Sequence, residues 1–265
     1  MGARRHEREG AKRRSFALRF TYEHDWAARG ASLIAGVDEV GRGPIAGPVV
    51  AAAVILPKVT PNERLWELDD SKRLSPTTRD RLAIIIKDVA VAWAINTATV
   101  AEIETLNIRQ ASFLAMRRAI CALQPAPDAV LVDGFSIPGL PMPQQAIVGG
   151  DHLSNSIAAA SVIAKVYRDS LMKALDTKYP GYGFGKHKGY GTPEHFAAVA
   201  RLGMTPIHRS SFVHLEQHPD VFTAMTNERG VVDSARTQGG DSSCRSWNTL
   251  PTSHKGCAER DAADR

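Results

Sequence analysis

The stretch LIAGVDEVGRGPIAGPVVAAAVIL, from Leu33 to Leu56, decides the fold of this chain. It contains two apolar runs rich in Val, Ile and Ala, with Gly41, Gly43, Pro44 and Gly47 between them. Apolar runs of this length, bounded by glycine and proline, are typical of buried strands separated by a turn. We therefore predict two strands joined by a glycine-rich turn.

Further along the chain, helix and strand signals alternate. Ser75-Pro76 supplies a helix cap followed by a proline suited to the first helical position, and Thr99 with Glu102 matches a capping box. Elements that alternate in this way indicate an α/β fold, in which helices cover both faces of a sheet. The remaining predicted elements are a helix from Pro76 to about Val89, strands within 89–98, 129–133 and 146–148, a long helix over 155–178 and a shorter helix after Pro193.

The two ends of the chain differ in composition from its middle. The first 14 residues contain Arg4, Arg5, Arg8, Lys12, Arg13 and Arg14 against Glu7 and Glu9, so a basic arm is predicted. After Phe212, Ser, Thr, Gly, Asp and Arg dominate, a composition too polar to form a core. We predict a flexible arm over residues 1–30, a catalytic domain over 31–214 and a disordered tail over 215–265.

The overall composition excludes several classes of protein. The formal charge of +5 suits a polyanionic partner but does not identify one. Cys121, Cys244 and Cys257 are an odd number without metal-type spacing, which argues against a disulfide framework. No long apolar run and no apolar signal core is present, so we expect no membrane insertion, no secretion and a cytoplasmic location.

Acidic residues stand where apolar segments stop. They are Asp38 and Glu39, Asp133 before Gly134, and Asp151 after Gly150. Buried carboxylates are costly unless they are paired or bind a metal, and Mg²⁺ and Mn²⁺ prefer oxygen ligands. Two such ions can activate water and stabilise the leaving oxygen of a phosphodiester. The alternative is that each acid only caps a turn or helix, and composition cannot show that the acids converge.

The sequence motifs around these acids are a more specific signal than the acids themselves. Residues 34–44 and 47–54 closely resemble the opening signature of the ribonuclease HII family, and three more blocks agree in order. The resemblance spans about Leu33 to Phe212, and several long blocks in register make a chance match implausible. The three blocks are DSKRLS at 70–75, AAASVIAKVYRD at 158–169 and HKGYGT at 187–192.

The resemblance implies a fold and a set of site residues. It implies an α/β ribonuclease H-like fold with a mixed central sheet, and a catalytic centre in which Asp38, Glu39, Asp133 and Asp151 bind Mn²⁺ or Mg²⁺. The turn Gly41-Arg42-Gly43 is expected to approach the ribose 2′-hydroxyl, and Tyr190 to pack on the neighbouring sugar. The other predicted substrate-binding residues are Lys72, His187 and Lys188. The cations predicted to follow the phosphates are Lys72, Arg73, Lys186, Lys188, Arg201 and Arg209, with ordinary solvated charge as an equal alternative for Arg201 and Arg209.

The expected activity is hydrolysis of the RNA strand of RNA/DNA hybrids, and cleavage 5′ of single ribonucleotides in duplex DNA. The expected products are 3′-hydroxyl and 5′-phosphate ends, and the expected enzyme is a monomer. Two other readings are a catalytically silent nucleic-acid-binding module and another carboxylate nuclease of the same superfold, such as a junction resolvase or a transposase-like enzyme. A dinucleotide site is disfavoured because Ala46 stands where the third glycine is needed.

Residues outside this set have other expected roles. The helical position of Asp169 predicts an ion pair rather than metal binding. His187, His195 and His208 would suit an acid/base nuclease that uses the 2′-hydroxyl as nucleophile, if the carboxylate blocks were absent. Because those blocks are present, we place His187 in a substrate-facing loop and expect His195 and His208 to be surface histidines.

Overall fold

The computed structural model describes residues 16–17, 19–57, 65–69 and 71–214. These residues form two compact units. The first contains the described residues up to Arg42 together with Pro48–Leu171, and the second contains Gly43–Gly47 and the described residues from Met172 onward. Among the described helices, none is long and apolar enough to cross a membrane.

A five-stranded mixed sheet organises the first unit, with strand order β3-β2-β1-β4-β5. The central strand β1 pairs antiparallel with β2, and β2 pairs antiparallel with β3. On its other side β1 pairs parallel with β4, which pairs parallel with β5. The two predicted strands of the opening stretch are therefore confirmed as neighbours. The strands are β1 (Ile34–Val40), β2 (Val49–Ile55), β3 (Ala92–Ala98), β4 (Ala129–Asp133) and β5 (Gln144–Ile147).

Helices cover both faces of this sheet. Every residue of β2 is buried, which explains its unbroken apolar sequence. On one face, Val50, Ala52 and Val54 pack with residues of the helices Pro76–Val89 and Asn155–Lys178. On the other face, the helix Ile108–Cys121 packs against β1, β2 and β3. The helices are α1 (Thr21–Ala28), α2 (Pro76–Val89), α3 (Val100–Leu106), α4 (Ile108–Cys121), α5 (Gly150–Leu153), α6 (Asn155–Lys178), α7 (Phe184–His187) and α8 (Pro193–Leu202), followed by a 3₁₀ turn at Ser210–Phe212.

The helix starts predicted from capping residues are confirmed. The Ser75 hydroxyl accepts a hydrogen bond from the Thr78 amide at 3.2 Å. Thr99 and Glu102 form both bonds of the capping box, at 3.2 Å and 2.8 Å. Helix α6 has the predicted bounds, whereas β5 begins two residues before the predicted strand and leaves Val148 80% exposed.

Gly36 allows the start of α6 to lie directly against the central strand. A Cβ atom added at Gly36 would lie 2.1 Å from the carbonyl carbon of Ser156, a backbone atom that no rotamer change can move away. The apolar segment that begins α6 is fully buried at Ile157, Ala158 and Ala159. Strand and helix therefore meet backbone to backbone, two residues before Asp38.

The predicted N-terminal arm is wrong for its described part. Phe16 is 1% exposed and belongs to the main core, and Thr21–Ala28 form α1. The carboxylate of Glu23 accepts hydrogen bonds from the Ser154 hydroxyl at 2.7 Å and the Ser156 amide at 3.0 Å. The arm was predicted from its charged residues, and these give no indication of the apolar and capping contacts. Residues 1–15 and the predicted tail over 215–265 lie outside the described residues.

The second unit has a small core of its own. Met172, Tyr182, Phe184 and Val199 are buried in it. The short segment 43–47 is added to this core as an extended piece: Ala46 forms a β-bridge with His208, and the amides of Ile45 and Gly47 donate to the carbonyls of Gly189 and Ile207 at 2.9 Å and 2.8 Å. The link between β1 and β2 is therefore the predicted glycine-rich connection, and its second half is an anchored, strand-like segment.

Candidate active site

Two of the predicted acids lie side by side on the neighbouring strands β1 and β4. Val37 on β1 pairs in parallel with Val132 on β4, and the next residues are Asp38 and Asp133. Residues opposite each other on parallel strands point to the same face. The topology therefore brings together two acids that are 95 positions apart in the sequence numbering.

The electrostatics of Asp38 extend this pair to all four acids. Asp38 is 7% exposed, and burial raises its pKa well above the usual range. The neighbouring charges of Glu39, Asp133 and, more weakly, Asp151 raise it further, while a hydrogen bond from Ser161 lowers it. Like charges can shift a pKa in this way only at short range or in a poorly solvated site. The four acids thus share one electrostatic environment.

Glu39 has a buried oxygen without a hydrogen-bond partner. Its Oε1 accepts a hydrogen bond from Arg42 at 3.2 Å, whereas Oε2 is buried and has no partner among the described residues. Burial raises the pKa of Glu39, and the positive charge of Arg42 opposes the increase. A buried, unpaired carboxylate oxygen is costly, so a ligand at Oε2 would relieve an existing cost.

Asp151 reaches the site from a short helix and not from the end of a strand, as the sequence suggested. It lies in the first turn of α5 and is 7% exposed. The helix is fixed beside β4 because the Gly150 amide donates to Asp133 Oδ1 at 2.7 Å. A Cβ atom at Gly150 would lie 2.5 Å from Ile157 Cδ1, so the end of that side chain would have to shift to admit a larger residue.

The chemistry of the four acids fits a divalent metal ion. All their donor atoms are hard carboxylate oxygens, and one of them, Glu39 Oε2, is buried without a partner. Within the described ranges, no three His, Cys, Asp or Glu side chains are already packed into a compact metal shell. An incomplete protein shell suits Mg²⁺ and Mn²⁺, because these ions keep water and substrate oxygens among their ligands.

Three residues near the acids were not singled out from the sequence. Ser161 lowers the pKa of Asp38, and its hydroxyl lies 2.9 Å from the Ser71 hydroxyl. Arg109 and Phe135 line a cavity of about 60 Å³ together with Glu39 and Asp133, and the Arg109 guanidinium lies 5.4 Å from the Phe135 ring centre. Ser161 falls inside a block that matches the family, which was a usable signal. For Arg109 and Phe135 the sequence offered none.

The predicted glycine turn and Tyr190 are both specifically placed. Gly41 has φ +94°, and a Cβ atom there would lie 2.2 Å from Nε of the buried Arg168. In the second unit, a Cβ atom at Gly43 would lie 3.8 Å from the Tyr190 ring, which is 46% exposed. The structure therefore brings Tyr190 next to the last glycine of the turn, with part of its ring open to solvent.

The predicted phosphate-tracking cations divide into two groups. Lys72, Arg73, Lys186 and Arg201 are exposed, and Arg73 lies 3.6 Å from Asp69. The Lys188 ammonium donates to the Gly185 carbonyl. For Arg209 the prediction is wrong: its side chain is 0% exposed and donates twice to the Gly47 carbonyl, at 3.0 Å and 2.7 Å. It secures segment 43–47 within its unit.

The histidine predictions also need correction. His195 is 0% and His208 4% exposed, so the expectation of surface histidines is wrong. The two rings pack against Phe184, and the hydrogen bond between them satisfies polar atoms that are buried there. His187 uses both ring nitrogens inside its loop, with Nε2 bonded to the Tyr182 carbonyl at 2.7 Å and Nδ1 to the Gly189 amide at 3.2 Å. The ion pair predicted for Asp169 is confirmed, with Lys165 at 2.8 Å.

A mixed sheet of this order, with Asp38 and Asp133 on neighbouring parallel strands and Glu39 and Asp151 close to them, is typical of the metal-dependent nucleases of the ribonuclease H-like class. The family model described as Ribonuclease HII matches residues 35–215. The chain belongs to the ribonuclease HII family and is a metal-dependent endoribonuclease.

Individual relatives agree with this assignment. A ribonuclease HII of Geobacillus kaustophilus is 52% identical over 217 residues, which cover 80% of this chain and 82% of that protein. The ribonuclease H2 structure from Pyrococcus horikoshii aligns with a TM-score of 0.61 and 26% identity, covering 74% of this chain and 99% of that one. Bst-RNase HIII in complex with Mn²⁺ shares the fold, with a TM-score of 0.59 and 19% identity, over 74% of this chain and 70% of that one.

Proposed function

We propose that this enzyme hydrolyses RNA within RNA/DNA hybrids and cuts on the 5′ side of a single ribonucleotide in duplex DNA. The observation that carries the proposal is the convergence of Asp38, Glu39, Asp133 and Asp151 in one poorly solvated environment. A cluster of buried acids destabilises a fold unless cations bind there, so its presence supports a catalytic purpose.

The four acids are proposed as the metal ligands. Asp38 on β1 and Asp133 on β4 would bind metal between these two strands. Glu39 would bind through its unpaired Oε2, and Asp151 would bind from α5. Bound Mn²⁺ or Mg²⁺ would supply an activated water and neutralise charge on the phosphate. In the reaction, the water oxygen bonds to phosphorus and the P–O3′ bond breaks. The departing oxygen takes a proton, which leaves a 3′-hydroxyl and a 5′-phosphate.

Recognition of the ribonucleotide is proposed for Gly41-Arg42-Gly43. Glycines allow backbone amides to approach a ligand closely, and a 2′-hydroxyl both donates and accepts hydrogen bonds. A short turn offers only a few such groups, so one 2′-hydroxyl should suffice. The half-exposed ring of Tyr190 beside Gly43 would pack on the next sugar, where a deoxyribose fits more closely than a ribose.

The remaining substrate contacts are proposed for cations of the matched blocks. Lys72 is exposed near the start of α2, and Lys188 has φ +54° in the loop that carries Tyr190. Both would contact phosphates. His187, whose ring nitrogens are used inside this loop, would contribute by shaping it.

The decisive test is a cleavage assay on four matched duplexes: all-DNA, DNA with one ribonucleotide, a long RNA/DNA hybrid and a branched DNA. We expect metal-dependent cleavage of the second and third only, with a single cut 5′ of the lone ribonucleotide. Cleavage of branched DNA would favour a resolvase, and binding without cleavage would favour a silent binding module. Either result would overturn the proposal.

The role of Tyr190 is tested separately with Tyr190→Ala and Tyr190→Phe. Because Tyr190→Phe keeps the ring, it should retain most cleavage at a lone ribonucleotide, whereas Tyr190→Ala should lose about tenfold or more. Metal affinity, measured by calorimetry, should be the same in both variants. If Tyr190→Ala cuts the singly substituted duplex as well as the unaltered enzyme does, the proposed packing of Tyr190 on the sugar next to the ribonucleotide is wrong.

A further inference from the structure

Two buried histidines in the second unit are not used by the proposed chemistry. His195 on α8 and His208 near the 3₁₀ turn are 0% and 4% exposed, and their Nε2 atoms lie 3.1 Å apart. The His187 ring stacks on His195 with a centroid separation of 4.2 Å, and Phe184 packs edge-on against it at 5.3 Å. Buried imidazoles at hydrogen-bond distance require that each nitrogen have a defined role as donor or acceptor.

Backbone groups at both ends of this pair fix those roles. The Thr205 amide can only donate, and it lies 2.9 Å from His208 Nδ1, so this nitrogen is the acceptor. His208 therefore carries its proton on Nε2 and donates it to His195 Nε2. His195 in turn carries its proton on Nδ1, which lies 2.8 Å from the Tyr190 carbonyl oxygen, a group that can only accept. Both tautomers follow from the same chain of bonds.

The pair has this neutral form at physiological pH. Burial lowers the pKa of both His195 and His208 to about 4, with smaller contributions from the nearby His187. The other titratable ring against them is Tyr182, which lies 5.3 Å from His208 and donates its hydroxyl to the Gly203 carbonyl. A proton added to His195 Nε2 would place two N–H groups face to face across 3.1 Å. Charging the pair would therefore break the chain of bonds.

This chain of bonds, which we name the imidazole relay (Thr205 amide, His208, His195, Tyr190 carbonyl), ends on the residue proposed to contact the substrate sugar. The Tyr190 carbonyl also accepts from the Thr192 amide at 2.9 Å, and the Tyr190 amide donates to the His187 carbonyl at 3.0 Å. Both peptide groups of Tyr190 are thus held, while its ring is left half exposed. The backbone is fixed and only the ring's own torsions remain free.

We propose that His195 and His208 are positioning residues, whose relay holds the Tyr190 backbone so that its ring meets the sugar beside the ribonucleotide. The inference rests on the proposed function of Tyr190. It assigns a purpose to polar groups that a hydrophobic core would otherwise exclude. A small ring presented by a glycine-rich loop needs such support, because misplacement of about 1 Å can cost roughly 100-fold in rate.

Two near-isosteric substitutions of His195 separate the two halves of the relay. In His195→Asn the side-chain amide nitrogen takes the place of Nδ1 and can still donate to the Tyr190 carbonyl. In His195→Gln the side-chain amide oxygen can take the place of Nε2 and accept the hydrogen bond from His208 Nε2, but the donor to the Tyr190 carbonyl is lost. On a duplex with one ribonucleotide, we expect His195→Gln to lower kcat/KM by about tenfold or more, and His195→Asn to retain several times more activity than His195→Gln.

A double-mutant cycle with Tyr190→Ala measures the coupling between His195 and Tyr190. A purely structural role of His195 would give no such coupling. If the relay acts through the Tyr190 ring, His195→Gln should cost little further activity in the Tyr190→Ala background. Equal losses in both backgrounds would overturn the inference and leave the proposed function intact. If Tyr190→Ala itself has full activity, the proposed role of Tyr190 fails first, and the two failures are distinguishable.

The unaltered full-length enzyme provides a test that does not depend on the folding of any variant. Nitrogen chemical shifts of the histidine rings report protonation and tautomer directly. We expect His208 protonated on Nε2 and His195 protonated on Nδ1 at pH 7. The opposite tautomers, or an imidazolium at either position, would contradict the relay.

Discussion

At the scale of single residues, the acids of the site work against the stability of the fold. Burial and neighbouring charges raise the pKa of Asp38 above its usual range, so in the folded state without metal its charged form is disfavoured. An acid whose pKa is raised on folding contributes stability only where it is protonated, and at neutral pH its charge is destabilising. Function therefore depends on residues that the fold alone would exclude.

Asp38→Asn should consequently lose activity and gain stability together. With the metal removed by chelation, the amide eliminates the desolvated charge at nearly constant volume, and each 1 kcal/mol gained would raise Tm by about 2–4 °C. Calorimetry in chelator, with cleavage assayed in Mn²⁺ and Mg²⁺, measures both effects. Asp80→Asn, at an exposed position on α2, is the matched control and should change neither. An Asp38→Asn protein with normal turnover would refute the metal assignment.

At this scale, the sequence identified residues that lie in recognisable motifs and did not identify contacts made only in the tertiary structure. The four acids were found because the sequence motifs around them resemble those of the family. Their convergence depends on the parallel register of β1 and β4, in which Val37 pairs with Val132. His195 and His208 were expected at the surface by default. Only the tertiary structure shows that each ring is the hydrogen-bond partner of the other.

At the scale of elements, local chemistry predicted the helix starts and tertiary contacts determined the rest. The bounds of α2 and α6 follow from a cap, a proline and the apolar pattern, all of which act within a few residues. The position of β5 depends on its register with β4, and that of α5 on the bond from Gly150 to Asp133. No local pattern encodes those distant partners.

The contact between β1 and α6 yields a prediction about Gly36. A methyl group there would overlap the backbone of Ser156, so Gly36→Ala should force the strand and helix apart and destabilise the protein severely, by about 3 kcal/mol or more. Denaturant unfolding measures this cost. The matched control is Gly30→Ala, which meets no atom within 4 Å and should cost about 1 kcal/mol because its φ is +96°. Similar losses in both variants would contradict the close approach.

At the scale of the whole molecule, the relay makes stability depend on pH. The unfolded chain takes up protons on His195 and His208 below about pH 6.5, whereas the folded chain resists until about pH 4. Stability should therefore fall as the pH decreases from 6.5 to 4. Asp38 and Glu39, whose pKa values are raised, act in the opposite direction.

The contribution of the histidines is isolated by comparing variants. The difference in unfolding free energy between pH 7 and pH 4.5 should be smaller in His208→Gln than in the unaltered protein, because one proton-linked group is removed. Guanidinium unfolding at the two pH values measures it. An unchanged difference would show that the buried pair does not govern acid stability.

Truncation tests the proposed boundary of the catalytic domain. Removing residues after about Val213 should leave cleavage of short duplexes nearly unchanged, since the tail has little apolar sequence with which to join a core. The truncated and full chains should also unfold at the same temperature. Loss of folding, or of most activity, would place the boundary further along the chain.

The anchoring of segment 43–47 has a consequence for how the chain is made. The Gly47 carbonyl receives its bonds from Arg209, which is 162 positions later. At a synthesis rate of about 5–20 residues per second, this partner is made roughly 8–32 s after Gly47. A nascent chain therefore carries the link between these two strands without its native partner until Arg209 has been made. The second unit can close only when translation of the described region is nearly complete.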